Sequence, residues 1–286
     1  MQMEAEGISV EQQAIILDMD GVLYRGRQTI PGVQQALARL QEERCTVLFA
    51  TNNGWTAHEE LLERIAALGV EVQPNQVVTA AIAAAELLKR RWPSVQHPFV
   101  LGSREVVRQL QERQFEPVDM REVEEADGLV VGLDLHLTYE RLAYAQAVGL
   151  KDVPFVATDY DGAYPWEGRW LPGSGAIVCA VEMATGRRAV NAGKPSPFMY
   201  KLLLASLAAD ALPIVVGDNL ETDIRAGRMA GYPTICVLSG LADRSKIEDA
   251  SEAVRPDFVA EDLLDAVERI IPLLCRRGEV RSQDAI

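Results

Sequence analysis

Three short apolar runs in this chain end in residues that can do chemistry. Residues 14–17 run into Asp18 and, two positions on, Asp20. Residues 45–50 run into Thr51, Asn52 and Asn53. Residues 214–216 lead to Asp218 and, a helical turn later, Asp223. A fourth group, Lys194, stands in Gly193-Lys194-Pro195 ahead of a helical stretch. Three or four carboxylates in one place repel one another and need a cation. An all-oxygen, carboxylate-rich set suits Mg2+, a hard ion that keeps some waters and shares the rest of its shell with a phosphate. Of the closely spaced Asp18 and Asp20, one can give such an ion a side-chain oxygen and the other a backbone carbonyl. The second carboxyl then stays free to move protons. Thr51 and the Asn52 amide can donate to phosphate oxygens, and Lys194 can offset charge on a phosphoryl group in transfer. The inventory is that of phosphoryl transfer through a covalent aspartyl phosphate. Singly, each of these groups is ordinary turn or helix-cap chemistry. Their order, at successive strand ends, carries the reading.

Such ends converge only if the runs are strands of a parallel sheet, because open α/β sheets bind ligands outside the carboxyl ends of their strands. The rest of the sequence supports that. Residues 31–44 carry the helical stripe Val33, Ala36, Leu37 and Leu40. Residues 56–68 predict a helix in which Thr56 and Glu59 are spaced as a capping box. Residues 80–91 predict an Ala/Leu-rich helix. Strand and helix patterns alternate again over 196–274. Between these ends the alternation is less regular. Strands are predicted near 99–101, 128–133 and 154–157, and helices over 104–113, 139–150 and 176–185. A turn-rich stretch covers 159–175. The chain therefore divides into a discontinuous core, 1–91 with 189–286, and an insertion, 92–188. Residues after Arg276 read as a loose tail.

Composition narrows the function. Of 286 residues, 48% are hydrophobic and 24% charged, which is ordinary globular usage and excludes a disordered or collagen-like chain. With 28 Lys plus Arg against 42 Asp plus Glu, the net charge is −14. Such a surface repels phosphate backbones and anionic lipids, which argues against nucleic-acid and membrane partners. The longest uncharged apolar stretch, 77–85, is far below the roughly 20 residues of a membrane span. The first thirteen residues hold no signal-peptide pattern. Four scattered cysteines form neither a zinc motif nor a disulfide framework, and Cys45 and Cys236 read as core residues. His58, His97 and His136 have no partner at metal-ligand spacing. A cytoplasmic protein is the expectation.

The motif residues themselves resemble a known family. Asp18-Met19-Asp20-Gly21-Val22-Leu23-Tyr24 resembles motif I of the haloacid dehalogenase (HAD) superfamily, and Phe49-Ala50-Thr51-Asn52-Asn53 its motif II. Lys194 in Ala192-Gly193-Lys194-Pro195-Ser196-Pro197 is similar to motif III, and Val216-Gly217-Asp218 through Asp223-Ile224 to motif IV. Ala157-Thr158-Asp159 and Pro172-Gly173-Ser174-Gly175 are typical of subfamily IIA, the NagD-like branch with p-nitrophenyl, phosphoglycolate and pyridoxal phosphatases. The resemblance implies an α/β fold: a HAD-like Rossmannoid parallel-sheet core with an inserted α/β (type C2) cap domain. It also implies a Mg2+-dependent phosphatase acting on a small phosphorylated metabolite. Asp18 would be the nucleophile, and Asp20 would protonate the leaving oxygen and then activate water. Mg2+ would be held by Asp18, the Asp20 carbonyl and Asp218, with Asp223 supporting the metal waters or orienting Lys194. Thr51 and Asn52 would bind phosphate, with Asn53 at the loop's edge. In the cap, the loop 159–170 would be the lid, and Tyr164 and Trp166 would either meet the leaving group or simply pack. Asp161 and Glu167 would disfavour a second negative charge on the substrate, and Arg169 would favour one. Alternatives are a phosphotransferase or mutase of the same fold, and a non-hydrolytic phospho-acceptor or binding protein. The resemblance leaves room for a homo-oligomer joined through the cap.

Overall fold

A strand that is apolar on both faces belongs inside a covered parallel sheet, and β1 (Gln13–Leu17) lies there. The computed structural model describes residues 13–166, 169–205, 207 and 212–274. After β1 come a small antiparallel flap, β2 (Tyr24–Arg25) with β3 (Gln28–Thr29), and then α1 (Val33–Glu42), β4 (Thr46–Thr51), α2 (His58–Ala66), β5 (Val77–Thr79) and α3 (Ala80–Arg91). The cap follows with β6 (Pro98–Leu101), α4 (Arg104–Glu112), β7 (Gly128–Val131), α5 (Tyr139–Gly149), β8 (Phe155–Ala157), a hairpin of β9 (Ala163–Trp166) and β10 (Arg169–Pro172), α6 (Ser174–Thr185) and β11 (Val190–Asn191). The chain returns through α7 (Phe198–Leu204), β12 (Leu212–Gly217), a π-helical turn (Leu220–Ile224), α8 (Arg225–Ala230), β13 (Thr234–Val237), α9 (Arg244–Glu248) and β14 (Phe258–Ala260).

The core sheet is parallel throughout, in the order β14-β13-β12-β1-β4-β5. Leu17 is in register with Val216 on one side and Phe49 on the other. The polar residues that follow each strand therefore emerge together at one edge. The cap has its own parallel sheet, β11-β8-β7-β6. The helix α1 buries Val33, Ala36, Leu37 and Leu40, one stripe at i, i+3, i+4 and i+7. The helix α3 is different. It buries Ala80 through Ala85 and Leu88, too many for one face, because it lies between the two sheets. Its small side chains join Ile16 and Leu48 of the core to Val100 and Leu110 of the cap in one apolar cluster.

Some local expectations change. The capping box at Thr56 and Glu59 is not formed: α2 begins at His58, after Ala57. Asn53 instead takes the Thr56 N–H at 2.9 Å and donates its amide to the Thr56 hydroxyl at 3.0 Å. The stretch 159–175 contains the β9–β10 hairpin rather than only turns, and the cap sheet reaches β11, past the expected seam at residue 188. The helical stretch expected after Lys194 spans Phe198–Leu204. Cys236 is buried as expected and Cys45 partly so. Glu167, Cys275 and the expected tail lie outside the described residues. No helix among the described residues is long and apolar enough to cross a membrane.

Candidate active site

β1 sets Asp18 at the centre of the sheet edge, its N–H donating to Val216 O at 2.9 Å. Lys194, 3% exposed, reaches in from the loop after β11. Its ammonium lies 2.5 Å from Asp18 Oδ1, 2.5 Å from Asp223 Oδ1 and 3.1 Å from Ala50 O. Burial alone would push this ammonium down, but the two carboxylates overcome it and hold Lys194 well above its ordinary value. Asp218 stands beside them, and one carboxylate oxygen from each of Asp18, Asp218 and Asp223 falls within 4.8 Å of the others. Burial raises the Asp18 carboxyl, against the pull of Lys194 and with the added repulsion of Asp223 and Asp218. Asp218 is pushed up to about 7, first by burial and then by Asp223.

Three carboxylates and one ammonium leave two negative charges in a buried space, and a divalent cation neutralises them. The oxygen donors are those Mg2+ prefers. The space is made by glycines: a Cβ at Gly21 or at Gly240 would collide with the Asp218 carboxylate, and Gly21 has φ +81°. The Leu241 N–H fixes Asp218 Oδ2 at 2.7 Å, and the Asn219 N–H fixes Asp223 Oδ2 at 3.1 Å. The residues present fit Mg2+.

The loop after β4 is organised differently from the sequence expectation. Thr51 is buried, and among the described residues its hydroxyl accepts the Asn53 N–H at 3.1 Å and donates to nothing. Both donors of the Asn52 amide are engaged, one to Lys194 O at 3.2 Å and one to Asp161 Oδ1 at 3.1 Å, while its Oδ1 accepts the Lys194 N–H at 2.8 Å. Asn52 thus braces the Lys194 loop and ties it to the cap instead of offering a free side-chain donor. Asn53 closes the turn, accepting from Trp55 N at 3.1 Å and Thr56 N at 2.9 Å.

Asp20 sits at the mouth, exposed, with the surrounding walls raising its carboxyl. Tyr164, on the β9–β10 hairpin, is half-buried, and its hydroxyl is raised by burial and by the Asp20 charge. Asp161 accepts the Asn52 amide at 3.1 Å, and burial followed by Asp159 pushes its carboxyl up to about 7. Arg169 is exposed on the hairpin. Nothing is described of the Trp166 side chain. The sequence reading missed Gly240 and Leu241, although they follow β13 and the strand-end rule points to them. It also missed Arg64 on α2, whose guanidinium stacks 4.5 Å over the Tyr24 ring.

A parallel α/β core with an inserted cap, whose strand ends gather a Lys-bridged cluster of aspartates, defines a phosphoryl-transfer class of hydrolase. The haloacid dehalogenase-like hydrolase family matches residues 15–116, and a HAD-hydrolase-like family matches 191–266. The chain is 31% identical over 259 residues to an acid sugar phosphatase of Staphylococcus saprophyticus, covering 90% of this chain and 98% of the relative. The fold superposes on p-nitrophenyl phosphatase from Archaeoglobus fulgidus with a TM-score of 0.82 at 30% identity, covering 91% of this chain and 100% of the other. It also matches glycerol phosphate phosphatase from Mycobacterium tuberculosis in complex with magnesium, with a TM-score of 0.81 at 31% identity, covering 88% of this chain and 75% of that one. The chain belongs to the haloacid dehalogenase-like hydrolases.

Proposed function

We propose that the protein is a Mg2+-dependent phosphatase that hydrolyses small phosphomonoesters through an aspartyl phosphate on Asp18. One observation carries this: the Lys194 ammonium bridges Asp18 and Asp223 while Asp218 completes an oxygen cluster at the strand ends. The phosphatases named among its relatives, one of them bound to magnesium, support the same reading.

The chemistry follows from these positions. An Asp18 carboxylate oxygen attacks phosphorus as the bond from phosphorus to the leaving oxygen breaks. Asp20, at the mouth, gives that oxygen its proton. Water then enters, Asp20 takes a proton from it, and the bond from Asp18 to phosphorus breaks to release phosphate. General acid–base help of this kind is worth roughly 10²–10⁴ in rate. The raised carboxyl of Asp20 suits a group that must hold a proton at the first step. Lys194 steadies the charge on the transferring group, and Asp223 keeps the ammonium aimed. The Thr51 hydroxyl donates to a phosphate oxygen. Mg2+, held by Asp18, Asp218 and the Asp20 carbonyl, would supply charge neutralisation and orientation of the phosphoryl group.

The test is release of p-nitrophenol from p-nitrophenyl phosphate with and without Mg2+, beside Asp18→Asn. Turnover is expected to need the metal and to vanish in the variant while the circular dichroism spectrum stays unchanged. Substantial turnover by folded Asp18→Asn would remove Asp18 from the role of nucleophile.

A further inference from the structure

Where the chain leaves β8, Thr158 and Asp159 are buried, and their segment lies directly against the loop after β11. The Ala192 N–H donates to Ala157 O at 3.0 Å and the Gly193 N–H to Thr158 O at 2.7 Å. A Cβ at Gly193 would meet Thr158 O, Asn52 Oδ1 and Asp159 Cβ together, so the core loop after β4, the cap segment and the lysine loop close on one point. Asn52 grips Lys194 by both of its backbone groups, and its remaining amide N–H goes to Asp161 Oδ1. Asp161 itself is set by its own segment. Its N–H donates to Asp159 Oδ1 at 3.0 Å, and its carbonyl accepts the Gly175 N–H at 2.9 Å. Asp159 is held in turn by the hydroxyls of Thr158 and Ser174. The backbone of Asp161 is thus fixed without help from its carboxylate. Among the described residues that carboxylate forms no salt bridge and accepts from Asn52 alone. A half-buried charge that holds nothing within its own domain is costly to keep. Its one partner lies across the joint, on the core.

We propose that Asp161 is a positioning residue for phosphoryl transfer: an acceptor supplied by the cap, it fixes the Asn52 amide and, through that amide, the backbone of Lys194, whose ammonium must meet Asp18. An ionised carboxylate can only accept. It therefore holds the amide with its nitrogen towards the cap and leaves its oxygen for the Lys194 N–H. The inference rests on the phosphatase reading, and it gives the cap a part in the chemistry that does not depend on the leaving group.

The experiment measures kcat and KM for p-nitrophenyl phosphate and glycerol phosphate at saturating Mg2+. Wild type is compared with Asp161→Ala, Asp161→Asn, Asn52→Ala and the double variant Asn52→Ala with Asp161→Ala, each checked for an unchanged circular dichroism spectrum. Asp161→Ala is expected to lower kcat about ten- to a hundredfold on both esters, the loss that a small misplacement of a reacting group causes, with KM changed far less. Asp161→Asn keeps an acceptor oxygen and should recover most of that loss. The double variant should be no slower than Asn52→Ala, because Asp161 acts through the amide. If the two single losses multiply in the double variant, Asp161 acts independently of Asn52 and the inference falls. A loss confined to KM or to one ester would make Asp161 a leaving-group contact and overturns it too, as does an unchanged kcat in Asp161→Ala. A wild-type protein that turns over neither ester with Mg2+ overturns instead the phosphatase reading beneath it.

Discussion

At the scale of single residues, the site is a set of charges that balances only when a divalent ion joins it. Burial, then Asp223, pushes the Asp218 carboxyl from 3.8 up to about 7. In the metal-free protein the folded state thus binds a proton that the unfolded chain has already released. By linkage, this group costs stability as pH rises from about 4 to about 7. Mg2+ keeps the carboxylate ionised and favours the folded state. The gain in Tm on adding Mg2+ should therefore be larger near pH 8 than near pH 5, as differential scanning fluorimetry would report. A gain independent of pH would exclude Asp218 as a ligand. Gly240→Ala puts a methyl group into the Asp218 carboxylate. The Mg2+ concentration for half-maximal activity should rise by about ten- to a hundredfold, the usual cost of disturbing what orients a ligand. Asp18, Asp20 and Asp218 were legible because apolar runs lead into them, and Lys194 because Gly193-Lys194-Pro195 stands ahead of a helical stretch. The engagement of Asn52 was not, because its partners Asp161 and Lys194 lie 109 and 142 residues away in sequence.

At the scale of elements, cap and core meet through helix starts. The buried carboxylate of Glu105, in the first turn of α4, accepts the His58 N–H that opens α2 at 3.3 Å, Arg108 Nη2 at 2.8 Å and Gln109 Nε2 at 3.0 Å. Ser103, which caps α4, donates its hydroxyl to Gly54 O at 2.6 Å. Glu105→Ala leaves these donors without their acceptor. It should lower stability by about 1–3 kcal/mol, seen as a lower urea midpoint at unchanged slope. The positions of α2 and α4 were legible from periodicity. The way α2 begins was not: Thr56 and Glu59 have capping spacing, but Asn53 claims Thr56 first. The β9–β10 hairpin was hidden for a related reason. Its strands hold Pro165 and Pro172 and lean on no apolar alternation, so pairing with each other is what makes them strands.

At the scale of the molecule, the insertion between the second and third motifs was visible as a change in the regularity of alternation. Its apolar continuity with the core was not visible, since an Ala-rich helix gives no sign of which neighbours it serves. The α3 cluster spans both sheets, and two separable unfolding events would each have to open it. Differential scanning calorimetry should therefore show one transition, with calorimetric and van't Hoff enthalpies in agreement. Two resolved peaks would mean that the cap melts on its own. The Asn52–Asp161 contact carries a different consequence, for exchange of caps between relatives. The amide that braces the Lys194 loop is completed by a carboxylate that arrives with the insertion. The two halves are thus not interchangeable parts with a clean joint. A transplanted cap keeps the Lys194 loop braced only if the graft brings an acceptor to the place of Asp161, so the limit of modular recombination in this protein runs through the Asn52–Asp161 contact.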